Sequence, residues 1–478
     1  MKVALVNLNF RDRDPPLGLA YLSSYAKKYG GYREIFIVDE AEPINKLEAI
    51  KPDIIGIGSF SMNFKAANDF AFQLKQRMNV PMIIGSHHIT QFPQHLLKSN
   101  FDIGVLGEGE ETFLEILGAC ERDGCSSMGS LEKIKGVAFK TKEGGLRITE
   151  RRPLIEPLDK IPFPDRDSLK MKEHYITLRR GIFEELGVYA QILTSRGCPY
   201  KCRFCASTEF WKRPRFHSAE YVVEEMKLLL ENYKTDGIII WDDLFLADYS
   251  RLKKIKDMMI REGLNRELKL SVFGRANLIN DDAVKTLKEM NVRSIDFGLE
   301  SGSDNVLSYL KRGTVTVEQN KNAIRLCKQG GIRTVATFII GSPEETIDDI
   351  EKTKQLIMDP NLDEAHVFQL IPLPGTEVWD YAKRKGIVSD DFDFDFNKLN
   401  VSSGKFAPDM IINENFTKET FKKELDDIGK ITLGKNRKIV LRNIKASHLK
   451  YILSPRFMSK FITNWGEMKI YLKNLKIW

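Results

Sequence analysis

Residues 194–205 read Thr194-Ser195-Arg196-Gly197-Cys198-Pro199-Tyr200-Lys201-Cys202-Arg203-Phe204-Cys205. Three thiols stand within eight residues, and three thiolates can each ligate one iron of a [4Fe–4S] cubane. No fourth cysteine lies nearby, so the fourth iron stays open to a chelating cofactor. A zinc site completed by a distant histidine is the bland alternative, but zinc sites more often use paired Cys-x-x-Cys motifs. Lys201 and Arg203 make this a poor segment for a merely buried cysteine cluster.

The stretch directly follows the apolar run Gln191–Thr194, and from there strand and helix patterns alternate. Further strands are expected at Gly237–Trp241, Leu268–Val272, Ser294–Gly298, Thr334–Ile340 and Glu364–Leu370. Six βα units predict a partial or complete parallel barrel with its site at the strands' carboxyl ends, where the cysteines fall.

Upstream, strands at Val3–Val6, Ile35–Val38, Asp53–Gly58, Pro81–Gly85 and Asp102–Leu106 alternate with helices such as Leu17–Lys28, Ala66–Arg77 and Glu111–Glu121. That rhythm predicts a doubly wound, Rossmann-like parallel sheet. The expected division is 1–125, a connector over 126–190 with a hairpin at Gly136–Lys142 and Gly145–Arg151, a barrel over 191–385, and a mostly helical extension over 386–478.

The composition, 42% hydrophobic and 29% charged, is that of a globular chain. No run of 18 apolar residues appears, so no spanning helix is expected. Clustered rather than evenly spread cysteines point to metal ligation in a reducing cytoplasm. Cys120 and Cys125 read as ordinary residues around a helix end, with a redox pair as the alternative, and Cys327 reads as core. The net charge is +7. Residues 435–478 alone carry +10, leaving −3 elsewhere, so a broad nucleic-acid-binding face is not expected.

Cys-x₃-Cys-x₂-Cys with an aromatic residue, Phe204, before the last cysteine resembles the signature of the radical S-adenosylmethionine (SAM) superfamily. The resemblance covers roughly residues 190–385. It implies that SAM binds the open iron and yields a 5′-deoxyadenosyl radical. It also implies SAM contacts at Phe204, at Asp242 or Asp243 (a helix N-cap otherwise), Arg275 (a solvated arginine otherwise), Glu300 and Ser301 of Gly-Leu-Glu-Ser-Gly, and Gly341 and Pro343. Glu344 stands where the family commonly has glycine.

The upstream domain resembles the cobalamin-binding radical SAM proteins. Pro15–Leu22, Gly85-Ser86-His87-His88-Ile89-Thr90 and Gly107-Glu108-Gly109-Glu110 carry the match, with Ser86 and His87 as departures. The resemblance implies cobalamin contacts from Ser59, Gly85, His88, Thr90, Gly107, Glu108, Gly109 and Glu110. Glycines there let a flat corrin approach the backbone. The loop Asn7–Gly18 holds no histidine to ligate cobalt. A domain that keeps the fold without the cofactor is the structural alternative.

Together these resemblances imply cobalamin-dependent methylation of an unactivated carbon in a small or lipid-like substrate. Relatives of this kind include the anaerobic magnesium-protoporphyrin ester cyclase group, so radical cyclisation or rearrangement is the second reading. A non-catalytic cobalamin or cluster sensor is a third. An electron donor such as flavodoxin or ferredoxin is implied. The tail, with Phe457–Trp465 and Lys469–Trp478, mixes cations with large apolar residues. It reads as a helical cap on the barrel or as a peripheral membrane contact at the cytoplasmic surface.

Overall fold

The computed structural model describes residues 1–8, 14–125, 127–171, 175, 178–180, 186–399 and 402–443. Two seven-stranded sheets organise them.

The first sheet contains β1 (Val3–Val6), β2 (Ile35–Val38), β3 (Ile54–Gly58), β4 (Met82–Gly85), β5 (Ile103–Val105), β6 (Val137–Lys140) and β7 (Leu146–Ile148), in the order β2-β1-β3-β4-β5-β6-β7. The first five strands are parallel. They are runs of Val, Ile and Leu because helices cover both faces. β6 pairs antiparallel with β5 and with β7. The expected hairpin therefore exists, but it extends this sheet and does not belong to a free connector, because Val137–Phe139 bury apolar side chains in the domain's core.

The second sheet contains β8 (Leu178–Arg180), β9 (Leu186–Ile192), β12 (Gly237–Ile240), β13 (Lys269–Gly274), β14 (Val292–Glu300), β15 (Arg333–Ile340) and β16 (Glu364–Gln369). Strands β9 to β16 run parallel as a half-barrel, and β8 adds antiparallel at one edge. A two-residue ribbon, β10 (Ser195–Arg196) with β11 (Arg215–Phe216), frames the cysteine loop. Ala190, Ile192, Ile238, Ile240, Leu270, Val272 and Ile295 point outward into the largest core, against the helices.

Among the described residues, the first part of the extension is less helical than expected: 386–417 hold two short 3-10 turns before a helix at Lys418–Asn443. Pro408, Gly386, Gly404 and the Asp/Phe-rich run 390–396 do not sustain helix. The long helix closes the open edge at β16: Asn436 Oδ1 accepts from Ala365 N at 3.1 Å and its Nδ2 donates to Ala365 O at 2.8 Å. One side chain thus stands in for a neighbouring strand. Phe421, on the same helix, is fully buried beside Gly341. The tail segments Phe457–Trp465 and Lys469–Trp478 lie outside the described residues.

Phe421→Ala should lower stability by about 3–5 kcal/mol, the usual cost of emptying a buried aromatic site. Urea denaturation followed by circular dichroism measures it; an unchanged midpoint would mean the helix is not part of the barrel's core.

Candidate functional site

The cysteine loop leaves β9, and four groups of contacts set its path. At its start, the fully buried Asp242 accepts from Thr194 N at 2.6 Å, Thr194 Oγ1 at 2.5 Å and Ser195 N at 3.0 Å. Burial raises its carboxyl against these donors. Next, Asp243 accepts from Gly197 N at 3.1 Å and Ser207 Oγ at 2.7 Å. Gly197 has φ +89°, and a Cβ there would lie 2.7 Å from Arg213 O, so only glycine fits. Farther on, Arg203 N donates to Leu310 O at 3.0 Å and Arg312 Nε to Lys201 O at 2.6 Å. Phe204 packs against the apolar cluster that includes Val306, Leu310 and Trp379.

Cys198, Cys202 and Cys205 are unpaired and partly exposed. Burial pushes the Cys205 thiol up to about 11 and raises Cys198 as well. Among the described residues no three His, Cys, Asp or Glu side chains converge on a single-ion site. A cubane makes no such demand, since each thiolate meets a different iron. The donor set therefore fits a three-corner cluster. Arg275 lies beside it, with Nη1 3.4 Å from Cys202 Sγ, Nη2 donating to Thr314 Oγ1 at 2.5 Å, and its guanidinium over the Tyr200 ring at 3.8 Å.

The candidate SAM residues divide. Asp243 and Arg275 remain at the cysteine loop. Asp242 does not present its carboxylate there: both oxygens are spent on the backbone and hydroxyl of 194–195. Ser301 is also fully buried, bonded to Thr353 Oγ1 at 3.0 Å and accepting from Ser303 N at 3.1 Å, so it fastens β14 to the following helices. Glu300 ends β14 at a register shift against β15, with φ +63°. A non-glycine residue held there marks a backbone that its surroundings over-determine. Lys311 Nζ lies 3.1 Å from Glu300 Oε1 and also donates to Gly298 O. Gly341 (φ +99°) and Pro343 shape the end of β15, where Glu345 accepts from Gly341 N at 2.5 Å and Ser342 N at 3.2 Å. Burial pushes the Glu345 carboxyl up to about 8.

In the first sheet, the candidate loops follow β3, β4 and β5 as expected. Gly58 is exposed, and a Cβ at Gly58 or at Gly107 (φ +81°) would meet nothing within 4 Å. Phe60 is 47% exposed beside them. Open backbone at two strand ends next to an exposed ring fits a flat corrin. Ser59 and Thr90 are buried and serve the loops. Ser59 Oγ donates to Phe60 O at 3.0 Å; Thr90 Oγ1 donates to Ser86 O at 2.7 Å and accepts from Gly107 N at 3.0 Å. A Cβ at Gly85 would make an ordinary contact with Val105, and one at Gly109 would crowd Leu22.

Three side-chain expectations here are corrected. His88 is fully buried, with Nδ1 3.1 Å from Ser61 Oγ and Nε2 3.0 Å from His95 Nδ1. Burial and the neighbouring His95 push it down to about 2. Both ring nitrogens are engaged, so the accessible member is His87, stacked on Phe210 at 4.0 Å. Glu108 and Glu110 are likewise closed to a cofactor. Arg196 donates to Glu108 Oε1 at 2.7 Å and to Glu110 Oε1 at 2.6 Å. Arg215 spans both Glu108 oxygens at 2.8 and 2.9 Å, and Ile155 N donates to Glu108 Oε2 at 2.9 Å. Burial works against the ionised Glu108, but the two guanidiniums outweigh it and hold the carboxyl below its ordinary range. Trp211 roofs both arginines at 5.4 and 5.8 Å. The turn after β5 is thus bolted to the residue that precedes Gly197-Cys198. Sequence reading passed over Arg196 and Arg215; a charged residue adjoining the cysteine loop was the available signal for the first. Cys120 and Cys125, read as ordinary residues, are disulfide-paired in the structure.

Glu108→Ala should destabilise the protein by about 3–5 kcal/mol, because it leaves the buried Arg215 guanidinium without a carboxylate and Arg196 with Glu110 alone. Glu115→Ala, removing a half-exposed partner of Arg152, should cost under about 1 kcal/mol. Thermal and urea unfolding of the two variants compare them; equal losses would refute the clamp.

Comparison with known proteins agrees with this geometry. Residues 192–357 match the Radical SAM superfamily and residues 4–117 match the B12 binding domain. An uncharacterized methyltransferase of Pyrococcus horikoshii is 33% identical over 380 residues, covering 77% of this chain and 78% of the relative. The anaerobic magnesium-protoporphyrin IX monomethyl ester cyclase of Rubrivivax gelatinosus is 28% identical, covering 83% and 70%. The hopanoid C-3 methylase of Methylococcus capsulatus is 26% identical, covering 77% and 69%. The fold is that of the radical SAM methyltransferase TsrM from Kitasatospora setae, solved with cobalamin and a [4Fe–4S] cluster (TM-score 0.65, 18% identity, 81% of this chain and 76% of that one). With both domains in this order and a relative one-third identical over most of its length, the chain belongs to the cobalamin-binding radical SAM family of enzymes.

Proposed function

We propose that the protein methylates an unactivated carbon of a small or lipid-like molecule. When bound, the cluster and SAM supply a hydrogen-abstracting radical, and cobalamin supplies the methyl group. Cys198, Cys202 and Cys205 would hold the cluster, and Asp243, Arg275 and Glu300 would face SAM. The backbone at Gly58, Gly85 and Gly107, with Phe60 and His87, would cradle the corrin.

The observation that carries this reading is the Arg196–Glu108–Arg215 network. It joins the turn after β5 to the start of the cysteine loop, so the two cofactor loops share one buried contact. A reaction that needs both cofactors on one substrate requires such adjacency. The cysteine loop's own fastenings at Asp242, Asp243 and Leu310 hold the backbone that carries the thiols.

The likeness to the Rubrivivax cyclase supports oxidative cyclisation as the second reading. An external one-electron donor of the flavodoxin or ferredoxin type would reduce the cluster. Among the described residues no helix is long and apolar enough to cross a membrane. The basic, Trp- and Tyr-bearing tail supports peripheral binding to anionic lipid.

Two measurements test this. Anaerobically reconstituted protein with reductant, cobalamin and SAM should release 5′-deoxyadenosine, and Cys198→Ala, Cys202→Ala and Cys205→Ala should each abolish it. With substrate, methylation should also release S-adenosylhomocysteine; deoxyadenosine without it would favour cyclisation. Separately, the full chain should float with vesicles containing phosphatidylserine, and a chain ending at Asn443 should not. Equal flotation of the two would remove the membrane role.

A further inference from the structure

The half-barrel's inner face carries a polar set that the cysteine loop does not use and that the first domain's loops touch at Gln191, whose Nε2 donates to Asp14 Oδ1 at 2.9 Å. Register defines it. Ile239 pairs with both Gln191 and Ser271, Ser271 with Ser294, and Ser294 with Arg333. These five positions form one row across the sheet, facing away from the helix-covered core. Two residues nearer the strands' carboxyl ends comes a second row, in which Phe273 pairs with Asp296, Asp296 with Val335, and Val335 with Glu364. Trp241 continues β12 on the same side as Ile239. Above them, Gly298, Thr337 and His366 make a third row.

Three polar atoms of the lowest row are buried without a hydrogen-bond partner: Gln191 Oε1, Ser271 Oγ and Ser294 Oγ. All three residues are fully buried. Buried groups of this kind are rare unless something else satisfies them. The charges are also unbalanced. Arg333 is ion-paired with Glu364, and His366 Nε2 lies 3.0 Å from the other Glu364 oxygen. Those groups answer one another. Asp296 forms no ion pair among the described residues, and Arg333 and His366 act on it without contact. On the neighbouring strand stands Phe273, and Trp241 lies one strand beyond it; each ring is 37% exposed. A carboxylate with exposed aromatic rings to one side suits an ammonium group on an apolar body.

We propose that Asp296 anchors a cationic substrate amine inside the half-barrel, with Trp241 and Phe273 against its apolar body. This rests on the proposed methylation and names the substrate class for it. Glu300, at the cofactor end, lies four residues along β14 from Asp296, so anchor and reacting carbon are separated by roughly 10–13 Å of strand rise. The substrate would be an elongated amphipathic amine. Burial raises the Asp296 carboxyl to about 6, with Glu364 assisting and Arg333, His366 and the Ser271 hydroxyl opposing. The anchor is therefore anionic above that pH and neutral below it.

The test uses reconstituted holoenzyme with three matched probes: 4-phenylbutylamine, 4-phenylbutanol and 4-phenylbutyrate. Calorimetry at pH 7.5 should show the amine binding at least tenfold tighter than the carboxylate. That preference should shrink toward pH 5, as Asp296 takes up a proton. Asp296→Asn should cut it to within twofold while cluster absorbance stays normal, and Asp296→Glu should keep it. A carboxylate that binds as well as the amine to unmutated enzyme overturns the proposal without any variant. Amine binding that is unchanged in Asp296→Asn also overturns it. Failure of the methylation reading is seen separately, as absent 5′-deoxyadenosine from the same preparation.

Discussion

Glu108 is buried at the turn after β5, and two guanidiniums from the cysteine-loop ribbon close on it. Much of the interface between the two sheets follows from that arrangement. A carboxylate removed from water needs its charge and lone pairs answered, and here Arg196, Arg215 and the amide of Ile155 do so. Each of the three partners comes from the segments that join or adjoin the two sheets. The network has little freedom to relax: moving the turn by an ångström would leave at least one buried charge unpaired. Its contribution is less stability than register, because a well-packed apolar cluster of the same volume would be as stable. It fixes where Gly197 and Cys198 begin relative to the loops after β3 and β4.

The cysteine loop is held in the same way along its length. Asp242 and Asp243 each take backbone amides of its first residues, and the helix at Asp304–Lys311 takes the amide of Arg203 through Leu310 O. These bonds hold the loop open at the thiols and closed behind them. Glu300 carries the corresponding strain on the opposite side. Its left-handed backbone turns its carboxylate onto Lys311, and the buried Ser301 and Thr353 keep the strand end from relaxing. The carboxylates near the site thus fall into two groups. Asp242, Glu108 and Glu110 hold the backbone together, while Asp243 and Glu300 remain near the strand ends.

Why the strands were legible in the sequence and the side-chain roles were not is a matter of range. Val3–Val6 and Ile35–Val38 occur as read, because a parallel strand buried on both faces must be a short apolar run, and that is a local property. The six barrel strands are apolar toward the helices and polar inside; five occur close to where they were read, while the first lies at Leu186–Ile192, upstream of the Gln191–Thr194 expected. Glu108, Glu110 and His88 sit in the motifs that were read as cofactor loops, with their side chains buried against partners. Their partners Arg196, Arg215 and His95 lie outside those motifs, and Arg196 is 88 residues from Glu108. Nothing in a local pattern states which buried group meets which. The hairpin β6–β7 was likewise seen as a hairpin, but its edge-to-edge pairing with β5 depends on a strand more than 30 residues earlier.

The C-terminal segment shows how the two halves are kept at one distance. His95 Nε2 reaches Asp390 O at 2.8 Å, and Phe392 and Phe396 pack around His95 and His88. The long helix that follows seals β16 through Asn436. One stretch of chain therefore contacts the loop after β4 and then the far edge of the half-barrel. Glu108 pins the sheets together near the cysteine loop, and residues 390–436 brace them from the other side. With two separated attachments the sheets cannot swing about either one alone. The space between their strand ends is thereby set by the protein before any cofactor or substrate enters, which is what a reaction across two bound groups requires.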